Sequence, residues 1–360
     1  MRKLAAAPAA LIGAAALAAQ ILLAGRAEAP RGVSAATENA GRRPGPSVEV
    51  LAVGDIMPAR WVERRLRANG YGYPFAETAE ILRGGQITFG NLESPLADGE
   101  PVEAFQMVFR GDPEFAPALR DAGFDIVSTA NNHAGDQGEA GIASTLEALE
   151  GAGISVAGSG DGPRAAAPAV IETPTGSVAF LAYADGRWFP DSYVAGENRQ
   201  GINLLESKKI SADVKDALAQ ADFVIVSVHA GTEYEPLPDS VQRDAAEAAA
   251  EAGASLVIGH HPHVLQPIEK IGTTTVAWSL GNFVFDQDFS PETQESAIAR
   301  FRISENGVEA SAFPARIHDY AQPRPTKDAA ARATAEKLFG GAEPCPGETG
   351  WWCPQKENAD

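Results

Sequence analysis

The sequence predicts an α/β fold in which layered β-sheets are flanked by helices. Three observations predict it: short β-branched or apolar runs recur along the chain, helical patterns lie between several of these runs, and polar residues cluster directly after them. Alternation of this kind is typical of sheets covered by helices. The chain has 360 residues, 44% hydrophobic and 21% charged, a composition that allows a substantial core in a soluble globular protein.

The predicted strands are the short apolar runs at residues 48–53, 86–89, 126–129, 178–183, 223–228, 256–258 and 274–279. Helical patterns occupy residues 113–122, 138–152 and 239–252. We find no internal repeat and no clear second domain. The alternation therefore predicts one folded domain at residues 48–320.

The first 29 residues resemble a signal peptide or an N-terminal membrane anchor. Arg2 and Lys3 precede an alanine-rich apolar run, and residues 27–29 have the small-x-small pattern of a signal peptidase site. A run of about 20 apolar residues can also cross a bilayer, so both alternatives stay open. We expect an exported protein, either periplasmic or extracellular, or anchored to the outer face of the cytoplasmic membrane. Residues 30–47 have the composition of a flexible linker.

The C-terminal stretch is rich in alanine, proline and charged residues, and we expect residues 321–360 to form a peripheral tail. The only two cysteines, Cys345 and Cys353, lie in this stretch. An exported protein permits them to pair as a disulfide. The alternative of a metal site is weak, because two cysteines without a nearby histidine supply only half of a tetrahedral site.

The chain is acidic, with a formal net charge of −19. Such a field repels a phosphate backbone unless a local basic stripe exists, and the sequence has none. We therefore expect no nucleic-acid partner.

Chemically capable side chains follow the predicted strands, where α/β folds carry their sites. They are Asp55, Asn91, Glu93, Asn132, His133, Asp136, His229, Glu233, His260, His261 and His263. Singly, each has a structural explanation, since Asp and Asn commonly form turns or cap helices. Five of the six histidines lie at strand ends, however, which random placement makes improbable. Because imidazole is the commonest side-chain metal ligand, the whole pattern predicts a metal site.

The predicted donor set combines carboxylate, amide and imidazole groups without a thiolate. It suits one or two divalent ions such as Zn, Mn or Fe. A carboxylate can bridge two ions about 3.5–4 Å apart, and such pairs activate water and stabilise a developing oxyanion. We therefore expect hydrolytic chemistry.

The polar clusters form a series of motifs in a fixed order along residues 48–317. They are Gly54-Asp55-Ile56-Met57 with Arg60, Gly90-Asn91-Leu92-Glu93, Phe109-Arg110-Gly111, Ala130-Asn131-Asn132-His133 with Asp136 and Gly138, His229 with Glu233-Tyr234 and Gln242, Gly259-His260-His261-Pro262-His263, and Ser279-Leu280-Gly281-Asn282-Phe283. Several are weak alone, but together they closely resemble the CapA-type poly-γ-glutamate capsule biosynthesis proteins of the calcineurin-like metallophosphatase superfamily. The resemblance implies a metallophosphatase-like layered sandwich of β-sheets flanked by helices.

The resemblance also implies roles for individual residues. Asp55 would bind the first ion and Glu93 would take the place of the bridging carboxylate. Asn132 and His229 would bind the second ion, and the pair His261 and His263 would supply one imidazole to each.

A further histidine, His133, resembles the superfamily's proton-donating histidine, and with Asp136 it forms the candidate catalytic pair. The chain departs from the superfamily at Met57, where a first-motif Asp-x-His would supply another imidazole. His260 is an alternative to His261 as ligand, because in the superfamily motif the histidine directly follows a glycine.

An acidic protein that binds an anionic substrate needs a local positive group. We expect Arg60 or Arg110 to supply it, because guanidinium groups bind carboxylate and phosphate in a bidentate manner. Asn91, Glu233 and Asn282 complete the candidate substrate-binding residues.

Three functions remain open at this stage. The first is metal-dependent hydrolysis or transfer at an amide of a poly-γ-glutamate-like or other cell-surface polymer. The second is a phosphoesterase acting on an exported phosphorylated substrate. The third is a non-catalytic, polymer-binding component of a capsule synthesis or export complex, with membrane capsule-synthesis proteins as partners.

Overall fold

The computed structural model describes residues 45–100 and 106–355 of the chain. The predicted signal segment and all but the last three residues of the predicted linker lie outside these residues. Among the helices that the structure describes, none is both long and apolar enough to cross a membrane.

The described residues form eighteen strands. They are β1 (Ser47–Ile56), β2 (Ile87–Leu92), β3 (Ile126–Ser128), β4 (Ser155–Ala157), β5 (Ser159–Gly160), β6 (Ala169–Thr173), β7 (Gly176–Ala184), β8 (Gly201–Ile202), β9 (Phe223–His229), β10 (Leu256–His260), β11 (Ile268–Ile271), β12 (Thr274–Ala277), β13 (Asn282–Val284), β14 (Glu295–Ser304), β15 (Gly307–His318), β16 (Gln322–Pro325), β17 (Ala342–Pro344) and β18 (Trp352–Pro354).

Nine α-helices lie between these strands in the described part of the chain. They are α1 (Arg60–Asn69), α2 (Ala79–Leu82), α3 (Phe115–Ala122), α4 (Gly138–Gly151), α5 (Gly162–Ala166), α6 (Ser207–Ala217), α7 (Ser240–Ala252), α8 (Pro291–Gln294) and α9 (Asp328–Phe339). Short 3-10 helices occupy Tyr73–Phe75, Gly186–Trp188 and Asp191–Tyr193.

Two large sheets carry the fold. The first has ten strands with a main order of β17-β18-β15-β14-β1-β2-β3-β4, while β13 pairs with β1 and β16 with β15. The second has six strands in the order β11-β12-β10-β9-β7-β6, and β5 and β8 form a small ribbon. In the first sheet β1 to β4 run parallel, and in the second β7, β9, β10 and β12 run parallel.

The two sheets pack face to face around a shared apolar core. Side chains from β1 and β2 lie in one cluster with side chains from β7, β9 and β10. Phe89 and Phe180, one from each sheet, stack with ring centroids 5.5 Å apart. Helices α1, α3 and α4 cover the outer face of the larger sheet, and α6 and α7 cover that of the smaller. The predicted α/β class, with layered sheets flanked by helices, is confirmed.

The C-terminal residues differ from the expected peripheral tail. β18 pairs with β15 in the larger sheet, β17 pairs with β18, and Leu338 of α9 is buried against Ala312 of β15. In the structure Cys345 and Cys353 are joined by a disulfide beside these strands. The alanine-rich composition concealed an amphipathic helix, whose small residues allow α9 to pack closely on the sheet.

Candidate metal centre

The predicted polar residues meet where the parallel strands of both sheets end. In the larger sheet Asp55 lies opposite Asn91 on one side and Asn282 on the other. In the smaller sheet His229 lies opposite His260. Because parallel strands share a direction, their carboxyl ends bring these side chains to one edge of each sheet.

Two glycines allow the chain to approach itself closely at this edge. A Cβ atom on Gly54 would lie 1.9 Å from the carbonyl oxygen of Gly281, and one on Gly259 would lie 1.9 Å from that of Trp278. The backbone N–H of Asp55 donates to the Gly281 carbonyl at 2.9 Å. Glycine before the ligand is therefore a steric requirement of this site.

Asp55 is completely buried and bonded on both oxygens. Asn91 donates to Oδ1 at 2.8 Å, and the backbone N–H of His261 lies 3.2 Å from Oδ2. The imidazoles of His260 and His263 approach at 3.2 and 3.4 Å. Burial alone would raise the pKa of Asp55, but hydrogen bonds from these two imidazoles hold it well below its ordinary value.

Glu93 lies at the centre of three imidazoles and has no partner of its own. Its Oε1 lies 4.0 Å from His133 Nε2, 3.9 Å from His229 Nε2 and 3.8 Å from His263 Nε2. Among the described residues, none donates a hydrogen bond to either oxygen of this buried carboxylate. Burial raises the pKa of Glu93 well above its ordinary value, and the nearby Asp55 raises it further.

His229 and Asn132 converge on the same point. Asn132 Oδ1 lies 2.8 Å from His229 Nε2, while Asn91 Nδ2 lies 3.2 Å from His229 Nδ1. Burial lowers the pKa of His229 well below its ordinary value, and the neighbouring His261 lowers it further. The imidazole is therefore neutral, which is the form that binds a metal.

The His-rich turn presents imidazoles from strained backbone. His261 and His263 have φ values of 95° and 58°, which cost non-glycine residues about 1–3 kcal/mol each. Neither ring nitrogen of His261 has a hydrogen-bond partner among the described residues. Burial lowers the pKa of His261 to about 3, so this imidazole too is neutral.

These unpartnered atoms fit a divalent metal. Buried polar atoms without partners cost free energy, and a cation that binds several of them removes this cost. Ligands about 2.0–2.2 Å from one ion lie roughly 3–3.5 Å from each other, a little shorter than the 3.9 and 3.8 Å that separate Glu93 Oε1 from His229 and His263. Asp55, Glu93 and His263 form one compact group, with ligand atoms within 4.8 Å of one another. The residues would therefore hold a divalent ion with oxygen and nitrogen ligands.

The candidate catalytic pair lies beside this cluster. His133 Nδ1 is 2.8 Å from Asp136 Oδ2, and the ring stacks on Phe109 with centroids 3.8 Å apart. The backbone N–H of Phe109 donates to the same Asp136 oxygen at 2.6 Å. These contacts fix the imidazole with Nε2 directed towards Glu93.

Met57, which stands where the superfamily has a metal-binding histidine, has a structural role. Met57 packs in the apolar core between β1 and α1, and its sulfur accepts a hydrogen bond from the backbone N–H of Ala59. Its side chain serves the fold, so the first centre lacks this ligand.

A cleft of about 300 Å³ opens beside the cluster and contains His133, Glu233 and His263. Arg60 also lines it. The guanidinium pairs with Asp286 and lies over the Phe109 ring at 4.6 Å.

The structure does not bring Arg110 to this cleft, which corrects the expectation that it faces the substrate. Its guanidinium is buried, donates to Glu63 at 2.7 Å and donates to the carbonyls of Ala97 and Glu100. Every one of these contacts is internal. Arg110 therefore stabilises the loop that precedes it.

Asn91 and Asn282, which were also predicted to contact substrate, do not face the cleft. Asn91 is buried and orients Asp55 and His229. Asn282 is buried as well, and its Oδ1 lies 2.9 Å from His263 Nδ1. Both amides hold ligands in place and are inaccessible to a substrate.

An aromatic rim around the cleft was not predicted from the sequence. Trp61 stacks on Tyr320 with centroids 5.6 Å apart, and Tyr234 packs edge-on against Phe289 at 5.1 Å. Phe289 is 63% exposed. Asp286 was also missed, although the rule that applied to the other carboxylates, a polar residue just after a strand, points to it after β13.

Comparison with known proteins finds similar bacterial sequences. The family model described as "Bacterial capsule synthesis protein PGA_cap" matches residues 49–287. "PGA biosynthesis protein CapA" of Bacillus subtilis is 32% identical over 76% of this chain and 73% of its own length. "Capsule biosynthesis protein CapA" of Bacillus anthracis is 31% identical over 71% of this chain and 64% of its own.

A solved structure shows the same fold. The calcineurin-like phosphoesterase YfkN from Bacillus subtilis aligns with a TM-score of 0.51 at 12% identity, covering 82% of this chain and 96% of that one. The predicted metallophosphatase-like sandwich is thereby confirmed as a fold.

Proposed function

Since the chain belongs to the bacterial capsule synthesis family PGA_cap, as its motifs predicted, we propose that it is an exported, metal-dependent hydrolase or transferase acting on a poly-γ-glutamate-type polymer. The observation that carries the catalytic part is the buried, unpartnered Glu93 surrounded by imidazoles. A site built only to bind polymer has no need to bury such a carboxylate at the focus of three imidazoles.

The residues of the cluster have distinct roles in holding a metal ion. Asp55, Glu93 and His263 would hold one ion, and Asn132, His229 and His261 would extend the site. When bound, a divalent ion supplies Lewis-acid stabilisation of the reacting oxygen and makes water a stronger nucleophile.

His133 is placed to move a proton at the edge of the cluster. When Nδ1 donates its hydrogen to Asp136, Nε2 faces the cluster, where it can first take a proton from the attacking water and then give it to a leaving amine or alkoxide. Stacking on Phe109 keeps the ring in that orientation.

Charge in the cleft supports a role for the ion in binding the polymer. Among the described residues, Arg60 is the one arginine that lines the cleft, and it already pairs with Asp286, while Glu233 and Asp288 add further negative charge. A polymer carboxylate would be repelled by this lining alone. We therefore expect the anionic polymer to bind only to the metal-loaded protein.

The test uses the full chain, stripped of metal by chelation and reloaded separately with Zn²⁺, Mn²⁺ or Fe²⁺. Poly-γ-glutamate is incubated with each form, and chain length and newly released amines are measured. Asp55→Asn serves as the control variant. Metal-dependent shortening that this variant loses supports the proposal.

Two other outcomes contradict it. Cleavage of a chromogenic phosphodiester but not of poly-γ-glutamate would favour the phosphoesterase alternative. Metal-dependent polymer binding without any turnover would favour the non-catalytic alternative.

Export is tested separately, by fractionating the native host and sequencing the N-terminus of the mature protein. A mature chain that begins near Pro30 outside the cytoplasm supports a cleaved signal peptide. An intact N-terminus in the membrane fraction supports an anchor, and a cytoplasmic protein contradicts export.

A further inference from the structure

Glu233 lies beside the His-rich turn in a position that substrate binding does not explain. A carboxylate oxygen of Glu233 and one nitrogen each from His261 and His263 lie within 4.8 Å of one another. His261 is completely buried, and neither of its ring nitrogens has a hydrogen-bond partner among the described residues. An unpartnered buried imidazole beside a half-buried carboxylate indicates a cation between them.

The two residues that follow Glu233 are held in place by hydrogen bonds to the His-rich turn and to the residues just after it. The backbone N–H of Tyr234 donates to the carbonyl of Pro262 at 2.8 Å, with Tyr234 at a φ of 65°. Gln266 donates to the carbonyl of Glu235 at 2.9 Å. Glu233 is therefore held at a set distance from both imidazoles.

The loop is further tied to a regular helix. Gln242 of α7 donates to the side chain of Gln266 at 2.9 Å and to the carbonyl of Trp278 at 2.9 Å. Its own oxygen completes the capping box at the start of α7 by accepting from Asp239. Support of this kind from a rigid element is typical of a positioned ligand.

We infer that Glu233, His261 and His263 bind a divalent cation on the cleft side of the metal centre, so that Glu233 is a metal ligand and not a substrate contact. The inference rests on the metal requirement of the proposed function. His263 belongs to both groups of candidate ligands, so the outer site lies next to the buried group. Because its Nδ1 lies 2.9 Å from Asn282 Oδ1, this imidazole has one nitrogen available for a metal and would bind one ion at a time.

The ligand chemistry limits the ion. Two imidazoles and one carboxylate suit Zn²⁺, Mn²⁺, Fe²⁺ or Co²⁺. Three protein ligands leave a coordination position open, as in catalytic sites. Glu233 and His263 both line the cleft, so an ion held by them would be within reach of a molecule bound there.

The test is a Co²⁺ titration of the chelated full-length chain, followed by visible absorption and by metal content after equilibrium dialysis. Glu233→Gln keeps the size of the side chain and removes its charge. Glu235→Gln, an exposed position on the same loop, is the matched control. Far-UV circular dichroism of each metal-free variant confirms folding.

We expect Glu233→Gln to weaken at least one Co²⁺-binding step by at least about tenfold and to change the visible spectrum, with Glu235→Gln unchanged. Binding and spectra identical to wild type would overturn the inference and leave the proposed function standing. A wild-type chain that binds no metal would overturn both. If Glu233 contacted only substrate, the variant would raise KM without altering the Co²⁺ titration.

Discussion

We predict that replacing the buried Glu93 stabilises the metal-free protein and destabilises the metal-bound protein. In the metal-free chain its two oxygens are buried without a donor among the described residues. Replacing it with Gln removes a negative charge from this position and keeps the shape. The metal-free variant should therefore be more stable than wild type, although a residue of the active centre has been changed.

The magnitude follows from the missing partners. A buried polar group without a hydrogen bond costs about 1–3 kcal/mol, and more when charged. We expect Glu93→Gln to raise the free energy of unfolding of the metal-free protein by about 1–3 kcal/mol at pH 8. Because the folded-state pKa of Glu93 is raised, its destabilising effect is present at high pH and disappears as pH falls below the ordinary pKa of Glu, about 4.3.

Metal reverses the order of stability. Wild type should gain about 2.7 kcal/mol when the free ion is at 100 times its Kd, whereas the variant, lacking the central ligand, should gain far less. Urea unfolding of both proteins with chelator and with Zn²⁺ measures this, and the exposed Glu247→Gln on α7 is the control. A metal-free variant less stable than wild type, or an equal gain from Zn²⁺, would refute the reasoning.

Three further predictions concern other parts of the molecule. His133→Asn should lower kcat by about 10²–10⁴-fold with metal content unchanged, as measured by assay and elemental analysis; equal loss of metal would contradict its proton-transfer role. Arg60→Ala should lower stability by about 3–5 kcal/mol by leaving the buried Asp286 without its ion pair, and should raise KM. Arg110→Ala should lower stability by less, because Arg67 still pairs with Glu63, and should leave KM unchanged. Reduction of Cys345–Cys353 should cost roughly 2–3 kcal/mol in calorimetry, while mass spectrometry of exported protein should show no free thiol.

Much of the site was predictable because its residues follow apolar runs. Asp55 and His229 end buried strands, so strand prediction located them directly. The convergence of these residues on one site was predicted from their shared position at strand ends, and the family resemblance added their individual roles. Periodicity cannot tell which sheet a strand joins, because that is set by contacts distant in sequence.

The sequence did not predict the direction in which each polar side chain of the site points. Asn91, Asn282 and Arg110 were predicted to contact substrate, but they are buried and hold other protein groups. A polar residue near a site can support a ligand or face the substrate, and the sequence carries the same letter in both cases. Met57 shows the reverse, since its sequence position predicted a missing ligand and its side chain does pack in the core.

The aromatic rim and the C-terminal strands were missed for a different reason. Trp61 and Tyr320 are more than 250 residues apart and meet only through the fold. The strands β17 and β18 are three residues each, too short for a hydrophobic period to be recognised.

The most direct test of the central claim is the rate at which the metal-loaded, full-length chain releases new amine ends from poly-γ-glutamate, measured beside chelated protein and Asp55→Asn. We predict release that requires a divalent ion, stops on chelation, returns on reloading and is absent from the variant. Release that persists at the same rate in chelated protein or in Asp55→Asn, or no release with any of Zn²⁺, Mn²⁺ and Fe²⁺, would contradict a metal-dependent hydrolase acting on this polymer.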